Sequence, residues 1–190
     1  MEAFLISLST VAIAEMGDRT QLLSLVLAAR YRRPWPILAG VLCATLANHA
    51  VAGLIGARLG HYLTAARLDA VVGAGMIGMA LWTLRSDTLE GEPAGPRRAG
   101  PFLATAIAFF VAEIGDKTQV ATLALAAAYP SLVTVVGGTT LGMVAANAPA
   151  VFLGNAFARR LPLRALHLAA SLLFLALGAL FIARALARAA

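Results

Sequence analysis

Charged side chains are scarce in this sequence, and cysteine is almost absent. Asp, Glu, Lys and Arg make up 13% of the 190 residues, whereas soluble domains carry about 25%. No basic face interleaved with aromatic residues accompanies the net charge of +6, so nucleic acid is not an expected partner. The single cysteine, Cys43, excludes an internal disulfide. With a mean hydropathy of +0.84, this composition excludes an ordinary soluble protein and indicates a chain embedded in a lipid bilayer.

Six apolar stretches are long enough to cross a bilayer as helices. We predict spans at 3–28, 36–57, 68–84, 101–128, 132–155 and 166–186. The first stretch has Glu2 as its leading charge and no preceding Lys or Arg, so we interpret it as a transmembrane helix rather than a cleavable signal peptide. The predicted fold is an all-α integral membrane protein with six transmembrane helices.

Two segments of the chain repeat each other at a distance of 98 residues. When 13–31 is aligned with 111–129, 11 of the 19 positions are identical, and they include Glu, Gly, Asp, Thr and Gln. Chance similarity between apolar helices does not place those residue types in register. Since each unit has an odd number of spans, the second would enter the bilayer from the opposite side. We therefore predict two inverted three-helix repeats, 1–85 and 101–190, joined by a linker at 86–100.

Arginine is unevenly distributed between the two sides of the predicted bundle. The odd-numbered loops, which include the 86–100 linker, carry nine Arg residues, and the opposite side carries four. The positive-inside rule places the more basic loops in the cytoplasm. Both termini are then expected outside.

Each repeat contains one acidic motif near the middle of its first span. The two copies read Glu15-Met16-Gly17-Asp18-Arg19-Thr20-Gln21 and Glu113-Ile114-Gly115-Asp116-Lys117-Thr118-Gln119. An ionised side chain at the bilayer centre costs at least about 2.5–3.5 kcal/mol, so these charges require partners or a polar cavity. On a continuous helix, the Glu and Asp of each motif would lie on one face, one turn apart.

Two such faces, meeting between the repeats, would form a cation site made of oxygen atoms. The predicted metal ligands are Glu15, Asp18, Gln21, Glu113, Asp116 and Gln119, and the supporting residues from the motif are Thr20, Thr118, Arg19 and Lys117. Oxygen ligands suit hard cations such as Ca²⁺, Mg²⁺ or Mn²⁺. Four acids and two bases leave a formal charge of −2, which one divalent cation would neutralise. Because crowded carboxylates tend to keep a proton, cation binding could release protons.

Five further polar or small residues are candidates for roles around this site. Gly17 and Gly115 favour either close packing of the repeats or a break in the helix. Asn48, His49 and Asn147 lie within the second and fifth predicted spans. They either line the site or make hydrogen bonds between helices.

The doubled Glu-x-Gly-Asp-Lys/Arg-Thr motif on the first and fourth of six spans resembles the GDT-type family of calcium/manganese cation antiporters, including MneA-type bacterial manganese exporters. Segments 47–50 and 149–154 also look like the family's second-span segments. The resemblance implies export of Mn²⁺ or Ca²⁺ from the cytosol, with protons as the counter-ion, across the bacterial inner membrane. It implies Glu15, Asp18, Glu113 and Asp116 as cation ligands, and no cofactor besides the transported ion. The preference between the two cations and the oligomeric state stay open.

Other interpretations account for less of the sequence. Intrahelical salt bridges from Glu15 to Arg19 and from Glu113 to Lys117 would ease insertion, but they explain neither the Asp residues nor the duplication. An exporter of amino acids or small metabolites would need an apolar or amphoteric pocket. A membrane assembly factor does not require charged side chains that are so costly to place within a bilayer. An intramembrane aspartyl protease is disfavoured because each Asp is followed by a base, and we expect no enzyme.

Overall fold

The computed structural model describes residues 1–84, 100–153 and 163–189, and within these ranges the chain forms eight α-helices and no strand. The helices are α1 Glu2–Glu15, α2 Arg19–Tyr31, α3 Pro34–Tyr62, α4 Ala65–Thr83, α5 Pro101–Glu113, α6 Lys117–Ala128, α7 Leu132–Leu153 and α8 Leu163–Ala189. The predicted linker at 86–100 lies outside the described residues except for Gly100. An all-helical structure agrees with the predicted fold class.

Four of these helices are long and apolar enough to cross a membrane: α3, α4, α7 and α8. They correspond to the spans predicted at 36–57, 68–84, 132–155 and 166–186. Tight connections of two residues join α2 to α3 and α3 to α4, so consecutive helices fold back on one another.

The spans predicted at 3–28 and 101–128 are not continuous helices, and this part of the prediction is wrong. Each is a pair of short helices separated by three residues, 16–18 in the first half and 114–116 in the second. Gly17 has a φ of 82° and Gly115 a φ of 73°, a left-handed conformation that only glycine adopts at little cost and that cannot continue a right-handed helix. The expectation that the Glu and Asp of each motif share one helical face is wrong for the same reason.

The broken helices of each half pack against the long second helix of the other half. A side chain at Gly138 of α7 would collide with the carbonyl oxygen of Phe4 in α1, and one at Gly40 of α3 would collide with that of Phe102 in α5. These two contacts are related by the 98-residue repeat. Further along α3, Gly56 lies against Leu123 of α6 in the same way. Because residue numbers rise together along both partners, the packed helices run parallel.

The third long helices of the two halves, α4 and α8, run antiparallel to each other. At one end, Arg188 forms an ion pair of 2.8 Å with Asp69. Near the other end, the Ser171 hydroxyl donates a hydrogen bond of 2.9 Å to the carbonyl oxygen of Ala80. Gly73 and Gly178 allow the two backbones to approach closely between these points.

Two apolar clusters fill the interior of the described bundle. The first is built from α1, α4, α6, α7 and α8 and includes Met76, Leu125 and Phe174. The second is built from α1, α2, α3, α5 and α7 and includes Leu27 and Phe109. Helices α1 and α7 contribute residues to both clusters and therefore connect them.

Candidate functional site

The two helix breaks bring the acidic motifs to the ends of helices inside the bundle. Glu15 is the last residue of α1, and Asp18 precedes the first residue of α2; Glu113 and Asp116 hold the same places beside α5 and α6. All four acids are buried, and each residue is at most 2% exposed. The helix N-termini after the breaks carry partial positive charge, which favours the neighbouring carboxylates.

Three of the four acids come together from both halves. Glu15, Glu113 and Asp116 each offer one carboxylate oxygen, and these oxygens lie within 4.8 Å of one another. Both oxygens of Glu15 and Oε1 of Glu113 have no hydrogen-bond partner within the described ranges. Since an unsatisfied buried carboxylate is costly, such oxygens call for a cation or a proton. We call Glu15, Glu113 and Asp116 the acidic triad.

The two bases join the halves of the molecule. Lys117 Nζ donates to Asp18 Oδ1 at 2.6 Å, and both side chains are buried, at 2% and 0% exposed. Arg19 donates to Asp116 Oδ1 at 3.0 Å and to the carbonyl oxygen of Ala112 at 2.8 Å. Each base therefore pairs with the Asp of the other repeat. These contacts between the repeats differ from the intrahelical salt bridges that would pair Arg19 with Glu15 and Lys117 with Glu113.

The glutamines predicted as metal ligands hold the backbone of the breaks in this conformation. Oε1 of Gln21 accepts a hydrogen bond from the Gly17 N–H at 2.9 Å, and Oε1 of Gln119 accepts one from the Gly115 N–H at 2.7 Å. Gln21 also donates to the carbonyl oxygen of Ala146 at 2.8 Å. The two amides thus fix the left-handed glycines beside the acids.

The threonines of the motif differ between the halves. The Thr118 hydroxyl donates to Glu113 Oε2 at 2.9 Å and lies 3.4 Å from Asp116 Oδ2. It therefore bridges two acids of the triad. The Thr20 hydroxyl is buried and has no hydrogen-bond partner in the described part of the chain.

The polar residues of the second and fifth predicted spans connect helices around the site. Asn48 donates to the carbonyl oxygen of Phe110 at 3.0 Å, and His49 Nδ1 lies 3.0 Å from the Thr139 hydroxyl. Asn147 Oδ1 accepts a hydrogen bond from Ser24 at 2.7 Å. These contacts provide the interhelical hydrogen bonding that the sequence allows for them.

Sequence reasoning missed Ser24 and Thr139, the partners of Asn147 and His49. A signal for Ser24 was present, because its repeat counterpart, Thr122, is also a hydroxyl residue, one turn after the motif. Thr139 has no such signal, since its counterpart is Val41.

Comparison with known proteins finds one family and relatives that match nearly the whole chain. The model of the family described as "Divalent cation/proton antiporter GDT1" matches residues 3–91 and again residues 101–189. A "Putative manganese exporter" of Vibrio cholerae serotype O1 is 49% identical over 176 residues, which cover 92% of this chain and 88% of that protein. A "GDT1-like protein" of Synechocystis is 30% identical over 199 residues, covering 92% of this chain and 93% of the relative. No solved structure matches the chain.

Proposed function

Because the chain belongs to the GDT1 family of divalent cation/proton antiporters, we propose that it exports Mn²⁺, and Ca²⁺ as a second substrate, from the cytosol in exchange for protons. The observation that carries the proposal is the acidic triad, which two copies of one motif build from both halves of the chain. Family membership supports the class of cargo, and the name of the Vibrio relative favours manganese.

The proposed transmembrane architecture has six spans arranged as two inverted repeats, 1–85 and 101–190. The first and fourth spans are the broken pairs α1–α2 and α5–α6, which carry the site at their midpoints. The parallel packing of α1 with α7 and of α3 with α5 supports this arrangement, as does the antiparallel pair α4 and α8. Broken helices at the interface of inverted repeats are a recurring plan of secondary transporters, with the ion site near the midplane.

The proposed cation ligands are the acidic triad with Asp18, and the predicted amides Gln21 and Gln119 support them. Carboxylate oxygens from opposite halves can be shared by one ion, and hard divalent cations prefer such a set. Asp18 pairs with Lys117 in this conformation. In our proposal, cation binding competes with the two bases for the carboxylates.

Proton exchange follows from the same carboxylates. The four acids and two bases of the motifs sum to a formal charge of −2. A divalent cation neutralises this charge, and protons on the carboxylates do so when the cation leaves. Since only deprotonated ligands bind the metal, loading with cation releases protons, which couples the two fluxes.

The proposed location is the bacterial inner membrane, with both termini outside and the 86–100 linker in the cytoplasm. The excess of Arg in the odd-numbered loops supports this orientation. Export then means binding from the linker side and release from the side of the termini.

Transport into proteoliposomes tests the proposal. Purified protein is reconstituted, and uptake of radioactive Mn²⁺ is followed with and without a pH gradient, with Ca²⁺ as competitor. We expect uptake driven by an acidic lumen, inhibition by Ca²⁺, and loss of uptake in Glu113→Gln. Glu2→Gln is the matched control, because Glu2 is exposed and outside the site. If Mn²⁺ uptake is the same with and without the pH gradient, proton exchange is rejected. If no Mn²⁺ uptake occurs under any gradient, the transport proposal itself is rejected.

A further inference from the structure

Helix α3 buries a histidine, His49, about half-way along its length. The residue is 0% exposed, and the cation exchange proposed above, which takes place on the carboxylates, leaves its imidazole without a role. Ionisable side chains inside membrane-spanning helices are rare, and they commonly belong to ion pathways or proton relays. The surroundings of His49 are therefore compared with what a proton relay requires.

Helix α7 holds one ring nitrogen of His49. Nδ1 lies 3.0 Å from the hydroxyl oxygen of Thr139, and that hydroxyl donates a hydrogen bond of 3.2 Å to the carbonyl oxygen of Val136. A hydroxyl has only one proton to donate. Since Thr139 gives its proton to Val136, its oxygen accepts from His49, and this network assigns the proton of the neutral imidazole to Nδ1.

The other ring nitrogen of His49 is a buried acceptor. Nε2 has no hydrogen-bond partner among the described residues. In the assigned tautomer, Nε2 carries a lone pair and no proton. It can take up a proton while Nδ1 keeps its bond to Thr139, so the ring changes charge without turning. Imidazole serves as a proton shuttle in proteins because its two nitrogens can act in this way.

The interface between α3 and α7 carries hydroxyl groups near His49 where the repeat is apolar. Thr45 precedes His49 by one turn on α3, and Thr140 follows Thr139 on α7. Both hydroxyls are buried and have no hydrogen-bond partner in the stretches that the structure describes. The repeat counterparts of Thr45, Thr139 and Thr140 are Met143, Val41 and Leu42. The hydroxyls thus accompany the histidine and are not required by the packing of the repeat.

A contact with α5 places His49 near the acidic triad. The residue before it, Asn48, donates a hydrogen bond of 3.0 Å to the carbonyl oxygen of Phe110. Phe110 lies one turn before Glu113, the last residue of α5. The middle of α3 therefore packs beside the end of the helix that carries one acid of the triad.

The packing of α3 on α6 gives the same position. Gly56 of α3 lies against Leu123 of α6, and the two helices run parallel. Two turns earlier in this register, His49 is level with the break at 114–116. His49 thus lies at the height of the acidic motif, on a neighbouring helix.

The helices packed against α3 present few ionisable side chains to His49. Helix α7 has none. Those of α2, α5 and α6 are Arg19, Arg30, Tyr31, Glu113 and Lys117. On α3 itself, Cys43 and Arg58 are the nearest in sequence, and each is more than one turn away from His49. Because Arg30 and Tyr31 lie at the far end of α2, the charged groups at the height of His49 are those of the acidic motifs.

We propose that His49 is a proton relay for the acidic triad and that Thr139 is the residue that positions its ring. The proposal rests on the proposed function, in which a cation displaces protons from carboxyl groups. When the cation binds, a carboxyl O–H bond breaks and its proton passes to Nε2 of His49, which becomes an imidazolium. Nε2 then gives this proton to water, and the reverse sequence returns a proton to the carboxylate when the cation leaves.

Two flux assays on reconstituted protein separate proton transfer from the other steps of transport. Uptake of radioactive Mn²⁺ driven by an acidic lumen requires net proton exchange, whereas exchange of radioactive Mn²⁺ for unlabelled lumenal Mn²⁺ at equal pH does not. In His49→Asn, we expect pH-driven uptake to fall about 100-fold, since a positioned proton-transfer group contributes about 10²–10⁴-fold to a rate. Mn²⁺/Mn²⁺ exchange should keep the wild-type rate.

The repeat and the helix itself supply the variants. The counterpart of His49 is Asn147, so His49→Asn introduces the residue that the second half has at this place, and His49→Gln replaces it if that variant does not fold. His61→Asn is the matched control, because His61 is exposed near the end of the same helix. Thr139→Val should cause a smaller loss that is also confined to pH-driven uptake, and Thr139→Ser should restore it.

Three results would overturn the relay. Equal slowing of both fluxes in His49→Asn would make the role of His49 structural, and wild-type rates in both would show that protons bypass it. Weaker Mn²⁺ binding to His49→Asn, measured by electron paramagnetic resonance, would make the imidazole a cation ligand. In each case the wild type still transports Mn²⁺ and the proposed function stands. A wild type without flux in either assay would reject the proposed function and the relay with it.

Discussion

The buried ion pair between Lys117 and Asp18 offers a demanding test of the site. Lys117→Gln removes one partner of a contact of 2.6 Å in which both side chains are buried. It removes the lysine charge from beside the Asp18 carboxylate inside the bundle. Breaking a buried pair in this way costs about 3–5 kcal/mol.

Two further variants separate the charge effect from other effects of the substitution. Asp18→Asn in the Lys117→Gln background removes the carboxylate that has lost the lysine charge, so we expect it to recover part of the lost stability. Arg19→Gln should cost less than Lys117→Gln, because Arg19 is 35% exposed and its partner Asp116 also lies near the Thr118 hydroxyl.

The assay is thermal unfolding of solubilised, monodisperse protein with and without Mn²⁺. Loss of Lys117 changes the formal charge of the site from −2 to −3, so Mn²⁺ should raise the melting temperature of Lys117→Gln more than that of the wild type. If Lys117→Gln unfolds like the wild type and gains no more from Mn²⁺, then Lys117 does not compete with the cation and the reasoning is refuted.

Three more predictions concern the acids, the amides and pH. Glu15→Gln and Glu113→Gln should each abolish Mn²⁺ flux without lowering expression, and near-normal flux in either would show that one motif suffices. Gln21→Ala should cost about 1–3 kcal/mol in thermal unfolding, because it leaves the buried Gly17 N–H without its side-chain acceptor and removes the hydrogen bond to the Ala146 carbonyl; Gln119→Ala, whose hydrogen bond is exposed, should cost less. Mn²⁺ affinity, measured by electron paramagnetic resonance, should fall as the pH is lowered, because protons compete for the carboxylates; an affinity that is constant with pH would contradict proton coupling.

The helical fold and the acidic motif could be predicted because each has a direct signature in the sequence. Apolar length indicates spans, and polar identities repeated at 98 residues indicate a second copy of one site. Family membership is confirmed by the match to both halves. The glycines at 17 and 115 signalled a break or close packing, and the structure shows a break at both.

The pairing of side chains was not predictable, since it depends on how the halves meet. Helical spacing alone favours contact between Glu15 and Arg19, yet the break turns Arg19 toward Asp116 of the other half. The difference in exposure between Lys117 and Arg19 was also not predictable, because the two motifs are nearly identical in sequence.

Anomalous diffraction from crystals grown with Mn²⁺ tests the central claim most directly, because it locates the ion itself. The account predicts an anomalous peak enclosed by the carboxylates of Glu15, Glu113 and Asp116, and its loss in Glu113→Gln crystals grown in the same way. Well-ordered wild-type crystals with no peak between these acids, or with manganese only at the protein surface, would contradict it.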